Sequence, residues 1–151
     1  MDKTYNHKTT EARIYAEWEK AGAFQPQLKA NLNNNPQTPT YSIIMPPPNA
    51  NGELHLGHAT FVAVSDALIR FHRMKGDATL WLPGVDHAGI LSQVTFEKKL
   101  KKEQGKSRYD LGREEFTKQV FQFCMDNKIL MENQLRALGA STDWSREKFT
   151  M

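Results

Sequence analysis

The apolar positions of this chain switch between two periods. Between residues 9 and 22 they recur at helical spacing, with Ile14, Trp18 and Ala21 on one stripe. Thr9 or Thr10 can cap the start and Gly22 suits the stop. Residues 25–40 lose the pattern: Asn, Gln and Pro dominate, which favours a solvated connector with Leu32-Asn33-Asn34-Asn35-Pro36 as its tip. Tyr41 to Met45 is a short apolar run ended by proline and reads as a buried strand. Leu54 to Lys75 resumes the helical period, with Ala59, Val62, Ala63, Ala67, Leu68 and Phe71 on the inner side, and Gly76-Asp77 ends it. Ala78 to Pro83 is a second strand. Residues 41–83 therefore read strand, helix, strand, for which a parallel pair with a right-handed crossover is the natural closure.

Residues 90–103 read as a further helix whose later part, Glu97 to Glu103, is mostly charged. Leu111 to Leu138 is a long helical pattern, one helix or two, with Phe116, Val120, Phe123, Leu130 and Leu135 near one face. Gly139 is its C-cap, and Thr142-Asp143-Trp144 begins a new segment. Trp144 and Phe149 are large apolar residues with little chain around them, so the chain is expected to be the front part of a longer protein.

The 151 residues suffice for one ordinary domain. A hydrophobic content of 39% and a charged content of 25% describe a globular, soluble chain, and a net charge of +3 permits a polyanionic partner without demanding one. The single cysteine, Cys124, can form neither an internal disulfide nor a zinc cluster, which fits a reducing compartment. No apolar run is long enough to cross a bilayer, and Met1 is followed by no apolar signal core. The cytoplasm is the expected location, with no membrane partner.

Two loops carry candidate chemistry, and both follow strands at their carboxyl ends, where parallel sheets bind ligands. The first reads Pro46-Pro47-Pro48-Asn49-Ala50-Asn51-Gly52-Glu53-Leu54-His55-Leu56-Gly57-His58. The prolines stiffen the exit from the first strand, and Asn51-Gly52 marks a turn. Leu56 and Gly57 fall in the opening turn of the helix, where backbone N–H groups favour an anion, and Gly57 allows a nucleotide to lie against the backbone. His55 and His58, three apart, share a side of the helix, and each can donate to a phosphate oxygen. A donor aimed at charge that develops in a transition state is worth roughly 3–4 kcal/mol when well placed. The bland alternative is a pair of half-buried surface histidines. Asn49 is a turn former or a ligand.

The second loop is Gly84-Val85-Asp86-His87-Ala88-Gly89. Asp86 can cap the next helix or pair with a substrate ammonium. His87 can pack or bind. The run Lys98, Lys99, Lys101, Lys102, Lys106 and Arg108 reads as a solvated helix face, with RNA phosphate contacts as the alternative. Gly105-Lys106-Ser107 ends like a phosphate loop, but Leu100 stands where its first glycine belongs. Phe116, Phe121 and Phe123 are more simply core than a base-stacking platform.

With His55-Leu56-Gly57-His58 the chain resembles the class I aminoacyl-tRNA synthetases, whose first signature is His-Ile-Gly-His or a close variant. The longer match, Pro46-Pro47-Pro48-Asn49, Gly52, Leu54-His55 and Gly57-His58-Ala59, looks like the valine, isoleucine and leucine branch. Asp86-His87-Ala88-Gly89-Ile90 with Gln93, and the closing Gly139, Asp143-Trp144, Arg146-Glu147 and Phe149-Thr150-Met151, are similar to its valine-specific members. The resemblance covers nearly the whole chain. It implies an α/β fold: a Rossmann-like parallel sheet, the first half of a catalytic domain over residues 41–151, behind a helical N-terminal extension over residues 1–40. It implies activation of valine by ATP to valyl-adenylate and transfer to tRNA(Val). His55, Gly57 and His58 would bind ATP, with His55 and His58 catalytic at the α-phosphate. Pro46, Pro47 and Asn49 would line the amino-acid site and Asp86 would hold the ammonium. Mg2+ would accompany ATP as substrate, with no metal held by this segment.

The family's second signature, Lys-Met-Ser-Lys-Ser, has no counterpart in these residues, nor has an editing or anticodon-binding region. A hydrophobic pocket separates valine from threonine by only about 100-fold, so such enzymes edit. A truncated piece with little or no activity alone is the expectation. Leu91-Ser92 departs from the family's more usual Ala-Thr, with no consequence expected. The alternatives are an isoleucyl enzyme, which the Asp86 loop argues against, a binding module that keeps the adenylate pocket without catalysis, and a small nucleotidylyltransferase, which would lack the proline-asparagine run.

Overall fold

In the computed structural model, residues 4–27 and 38–151 are described. The expected connector tip at 32–36 lies outside them. The chain forms two compact units that interleave in sequence: one takes Met1–Met45, Leu56–Pro83 and Leu135–Glu147, the other Pro46–His55, Gly84–Gln134 and Lys148–Met151.

The first unit contains the expected strand, helix, strand. β1 (Thr40–Ile44) and β2 (Ala78–Leu82) pair in parallel, Thr40 opposite Ala78 and Ile44 opposite Leu82, and α2 (Leu56–Lys75) connects them. Met45 N–H extends the ladder to Leu82 O at 2.9 Å. β1 is not the buried strand that its apolar run suggests: it alternates exposed and half-buried, and Ile44 is 73% exposed. β2 takes the central place, since Asp143 N–H bonds Trp81 O at 3.0 Å on its other side and Trp81 is fully buried. A short apolar run looks the same at an edge as at a centre.

The inner face of α2 also differs from expectation. Val62, Ser65 and Ile69 are buried, whereas Ala63, Ala67, Leu68 and Phe71 are exposed. The helix is apolar nearly all round, so more than one stripe fits its pattern. Its polar residues break the tie. Asp66 Oδ1 accepts from the backbone N–H of Ser141 at 3.1 Å and from the Ser141 hydroxyl. Arg70 donates to Asp66 at 2.6 Å and to Gly139 O at 2.8 Å. Arg73 donates to Ser141 O at 2.7 Å and to Phe24 O at 3.0 Å. These bonds turn that side of α2 toward residues 139–141.

α1 (His7–Lys20) begins earlier than Thr9, because Asn6, in extended conformation, occupies the cap position and its carbonyl accepts from Thr10 N–H at 3.2 Å. Its buried residue is Tyr15 rather than the Ile14, Trp18, Ala21 stripe; Ala21 is the C-cap, and Trp18 packs edge-on against Phe24. Burial pushes the Tyr15 hydroxyl up to about 12. That hydroxyl donates to Ala140 O at 2.7 Å and accepts from the Trp144 indole N–H at 2.8 Å. Trp144, expected to lack surrounding chain, thus has partners, and Arg136 lies over its ring at 4.0 Å.

The second unit packs α3 (Ile90–Gln104), α4 (Arg108–Leu111) and most of α5 (Arg113–Ala137) around one core. Phe96 and Leu100 of α3 meet Phe116, Val120, Cys124 and Met131 of α5, with Ala50 and Val85 closing the cluster. Leu130, expected on the inner face of α5, is 37% exposed; Cys124 and Met131 are buried instead. Phe149, the other residue expected to lack neighbours, packs against this core. The long helical pattern from Leu111 is a single 25-residue helix, with Gly112 parting it from the one-turn α4 that precedes it. Lys98, Lys99, Lys101, Lys102 and Lys106 are exposed, as on a solvated face.

α2 and α5 end alike. Gly76 N–H bonds Arg73 O and Asp77 N–H reaches back to His72 O; Gly139 N–H bonds Arg136 O and Ala140 N–H reaches back to Leu135 O. Both glycines have positive φ, 88° and 77°, the signature of a Schellman cap. An added Cβ on Gly139 meets nothing within 4 Å, so backbone strain alone opposes it. Gly139→Ala is therefore expected to destabilise the fold by about 1–2 kcal/mol, with Gly139→Asn losing less, read from denaturation midpoints.

Candidate functional site

The proline segment controls how the second unit builds its site. Prolines have no N–H, so this segment pairs through the Pro48 carbonyl and first offers a donor past the prolines. Asp86 N–H bonds Pro48 O at 2.9 Å, and Ala50 N–H bonds Asp86 O at 2.7 Å. These two bonds set Asn49 opposite Asp86 in parallel register. On the other side, β3 (Gly84–Val85) pairs in parallel with β4 (Lys148–Phe149), and Thr150 N–H continues the ladder to Val85 O at 3.3 Å. The pleat then sorts the side chains. Pro48, Ala50 and Val85 are buried, while Asn49, Asp86 and Thr150 leave the other face. Pro46 and Pro47 are exposed at the head of this strip.

Asp86 is not spent on capping α3. The cap position belongs to Gly89, with no side-chain hydrogen bond. The carboxylate instead accepts from the Thr150 hydroxyl at 2.8 Å and from Ala88 N–H at 3.2 Å, both on Oδ1. The Thr150 bond, then the Ala88 N–H, hold the Asp86 carboxyl below its ordinary range against the opposing effect of burial, and His87 adds to the lowering. Asp86 is accordingly an anion at neutral pH, half-exposed and able to meet a cation. His87 stands beside it, Nδ1 to Oδ1 3.5 Å.

In the first unit, α2 starts at Leu56. His55 therefore precedes its first residue, and Gly57 and His58 lie in its opening turn. No acidic side chain occupies that turn, while His72, Arg73 and Lys75 line the last one. This charge distribution complements the helix dipole and leaves the amino end suited to an anion. His55 is exposed and His58 half-buried.

The family model for tRNA synthetases class I (I, L, M and V) matches residues 13–151. The chain belongs to this family. It is 48% identical to the valine--tRNA ligase of Treponema denticola over 151 residues, all of this chain and 16% of that protein. It is 45% identical to the Caulobacter vibrioides valine--tRNA ligase over the same span and share. The Homo sapiens mitochondrial valine--tRNA ligase is 49% identical over 153 residues, again all of this chain and 14% of that protein. The chain thus spans 16% or less of the length of these relatives. A solved ternary complex of an Agrobacterium radiobacter LeuRS with tRNA and LeuAMS superposes with a TM-score of 0.74 at 19% identity, covering 97% of this chain and 16% of that one. That likeness fixes the fold, mixed α/β with parallel strands. The relatives named favour the valine over the isoleucine branch of this synthetase family.

Within the synthetase chain, Asn49 and Asp86 are brought into register although they come from different loops. Two supporting residues were missed by sequence reasoning. Thr150 sits on the strand beyond Asp86, and nothing local in Phe149-Thr150-Met151 reveals that partner. Ser92, fully buried in α3, donates to His87 O at 2.6 Å and ties down the loop. The hydroxyl, shared by serine and threonine, makes this bond, so the Leu91-Ser92 departure keeps the contact. A cavity of about 720 Å³ in the second unit is lined by His87, Arg108, Tyr109, Arg113, Phe116 and Cys124 among others, but by neither Asp86 nor Asn49. Cys124 is fully buried, and burial pushes its thiol up, so it is inert packing.

The loop between Asp86 and α3 carries backbone strain. Ala88 has φ +58° and Gly89 φ +45°. A non-glycine residue at positive φ costs about 1–3 kcal/mol and persists where its surroundings enforce it. Ala88→Val is expected to lose about 1–3 kcal/mol, whereas Ala88→Gly leaves the denaturation midpoint unchanged or higher.

Proposed function

We propose that this chain is the segment of a valine--tRNA ligase that receives valine and the ATP phosphates for adenylate formation. The observation that carries this reading is the register of Asn49 with Asp86, which presents an ionised carboxylate beside an amide at the head of a proline corner. Residues 1–40 serve as an N-terminal helix and connector, and 41–151 as the first half of the catalytic domain. The same reading expects the cytoplasm, supported by the unpaired, buried Cys124.

The chemistry follows from charge. Valine enters as a zwitterion. Asp86 holds its ammonium, and Pro46, Pro47 and Asn49 border the bound amino acid. One valine carboxylate oxygen attacks the α-phosphorus of ATP in line, and the bond to pyrophosphate breaks. Negative charge grows on the phosphate oxygens as this happens. His55 and His58 donate to those oxygens, and Gly57 lets the nucleotide approach the helix start. Donors positioned before the reaction lower the barrier without a covalent step. Mg2+ comes with ATP as part of the substrate. The complete protein then passes the valyl group to the terminal adenosine of tRNA(Val).

The testing measurement is amino-acid-dependent exchange of pyrophosphate into ATP by the full-length polypeptide, run with valine, isoleucine, threonine and leucine. Valine should support the highest kcat/KM; preference for isoleucine would overturn the assignment, and no exchange with any of the four would point to a binding module. His58→Ala should slow adenylate formation by about 100-fold or more with valine binding little changed. A normal rate would refute its role. Asp86→Ala should instead raise the valine KM, and an unchanged KM would remove the ammonium contact.

A further inference from the structure

The Thr150 hydroxyl meets three polar atoms at once. Its Oγ1 lies 2.8 Å from Asp86 Oδ1, 3.0 Å from the His87 backbone nitrogen and 2.6 Å from His87 Nδ1. A hydroxyl has one proton and two lone pairs, so these contacts admit one arrangement. The carboxylate has no proton, so Thr150 donates to Oδ1. The His87 backbone N–H fills one lone pair. The remaining contact is then a donation from His87 Nδ1–H to the other lone pair, which fixes the ring with its proton on Nδ1.

The hydrogen bonds to the Asp86 side chain from Thr150 and from Ala88 N–H both land on Oδ1. The strand register enforces this geometry: one step beyond Val85 opposite Phe149, it sets Asp86 beside Thr150. We infer that Thr150 is a positioning residue for the amino-acid site, locking the Asp86 carboxylate through Oδ1 so that Oδ2 faces the substrate ammonium. This rests on the reading of Asp86 as the ammonium partner. It adds a residue to that site, and it assigns His87 a part in the lock through Nδ1.

The test compares wild type, Thr150→Val, Thr150→Ser and Asp86→Asn in the full-length polypeptide, with valine KM, ATP KM and kcat taken from pyrophosphate exchange. Valine at position 150 keeps the shape and removes the hydroxyl. Thr150→Val should raise the valine KM about tenfold with the ATP KM within about twofold of wild type. Thr150→Ser should restore the valine KM to within about threefold. An unchanged valine KM in Thr150→Val would overturn the inference, as would a serine variant that fails to recover or an equal rise in both KM values. The Asp86→Asn arm separates the two levels. If it leaves the valine KM unchanged, the ammonium site itself is wrong; if it raises that KM while Thr150→Val does not, only the role of Thr150 falls.

Discussion

The backbone pairing on both edges of Gly84–Asp86 is the constraint on which the proposed amino-acid site depends. One edge is held by Pro48 and Ala50, the other by the segment that ends in Thr150. A proline segment is a poor strand, yet this is what makes the register unambiguous. It has one useful acceptor before Asn49 and one useful donor after it, so Asp86 can meet it in a single way. A slip by one residue would turn Asp86 toward the core and Val85 outward, placing a carboxylate among Phe96, Leu100 and Phe116. The same alternation that buries Pro48, Ala50 and Val85 delivers Asn49, Asp86 and Thr150 to the opposite face. Core packing and site assembly are thus two sides of one pleat.

The two charges of an amino acid and a nucleotide call for opposite environments, and the proposed site would supply them by different physical means. In the proposed reading the ammonium would meet a formal charge, an aspartate whose ionised form is favoured by a hydroxyl and a backbone N–H. The proposed phosphate site would instead rest on backbone dipoles and imidazole donors at the start of α2, a turn without acidic side chains.

Much of this was legible from local pattern. The strand, helix, strand order over 41–83 rests on periodicity and on the Gly76 stop, and the end of α5 on Gly139; each is a short-range signal. The helix after the first loop was legible too, although it starts at Leu56 rather than Leu54 and so leaves His55 just outside it. What failed were the judgements of burial and of helix face, which depend on distant chain. The face of α2 could not be chosen from its apolar residues, because Asp66, Arg70 and Arg73 choose it through bonds to Phe24 and to residues 139–141. Tyr41–Met45 looked central because edge and centre differ in their neighbours rather than in their composition. Asp86 and Asn49 were each suspected separately, but their register and the contribution of Thr150 arise from pairings no local window contains.

The strained turn after Asp86 completes the argument for a dedicated carboxylate. An aspartate a few residues before a helix would ordinarily bend its side chain to the first free N–H groups and cap them. Here Ala88 and Gly89 both take positive φ, so the chain reverses hand before α3 begins and Gly89, with no side chain, stands at the cap. Leu91 N–H turns back to Ala88 O at 3.0 Å, and Ser92 anchors the loop through His87 O. Asp86 accepts locally from Ala88 N–H, with His87 beside it, and across the strands from Thr150. The backbone strain is therefore not incidental to the loop. It separates the acid from the helix that would otherwise consume it, and leaves an ionised carboxylate whose bonds from Thr150 and Ala88 both fall on Oδ1, the arrangement the proposed ammonium contact calls for.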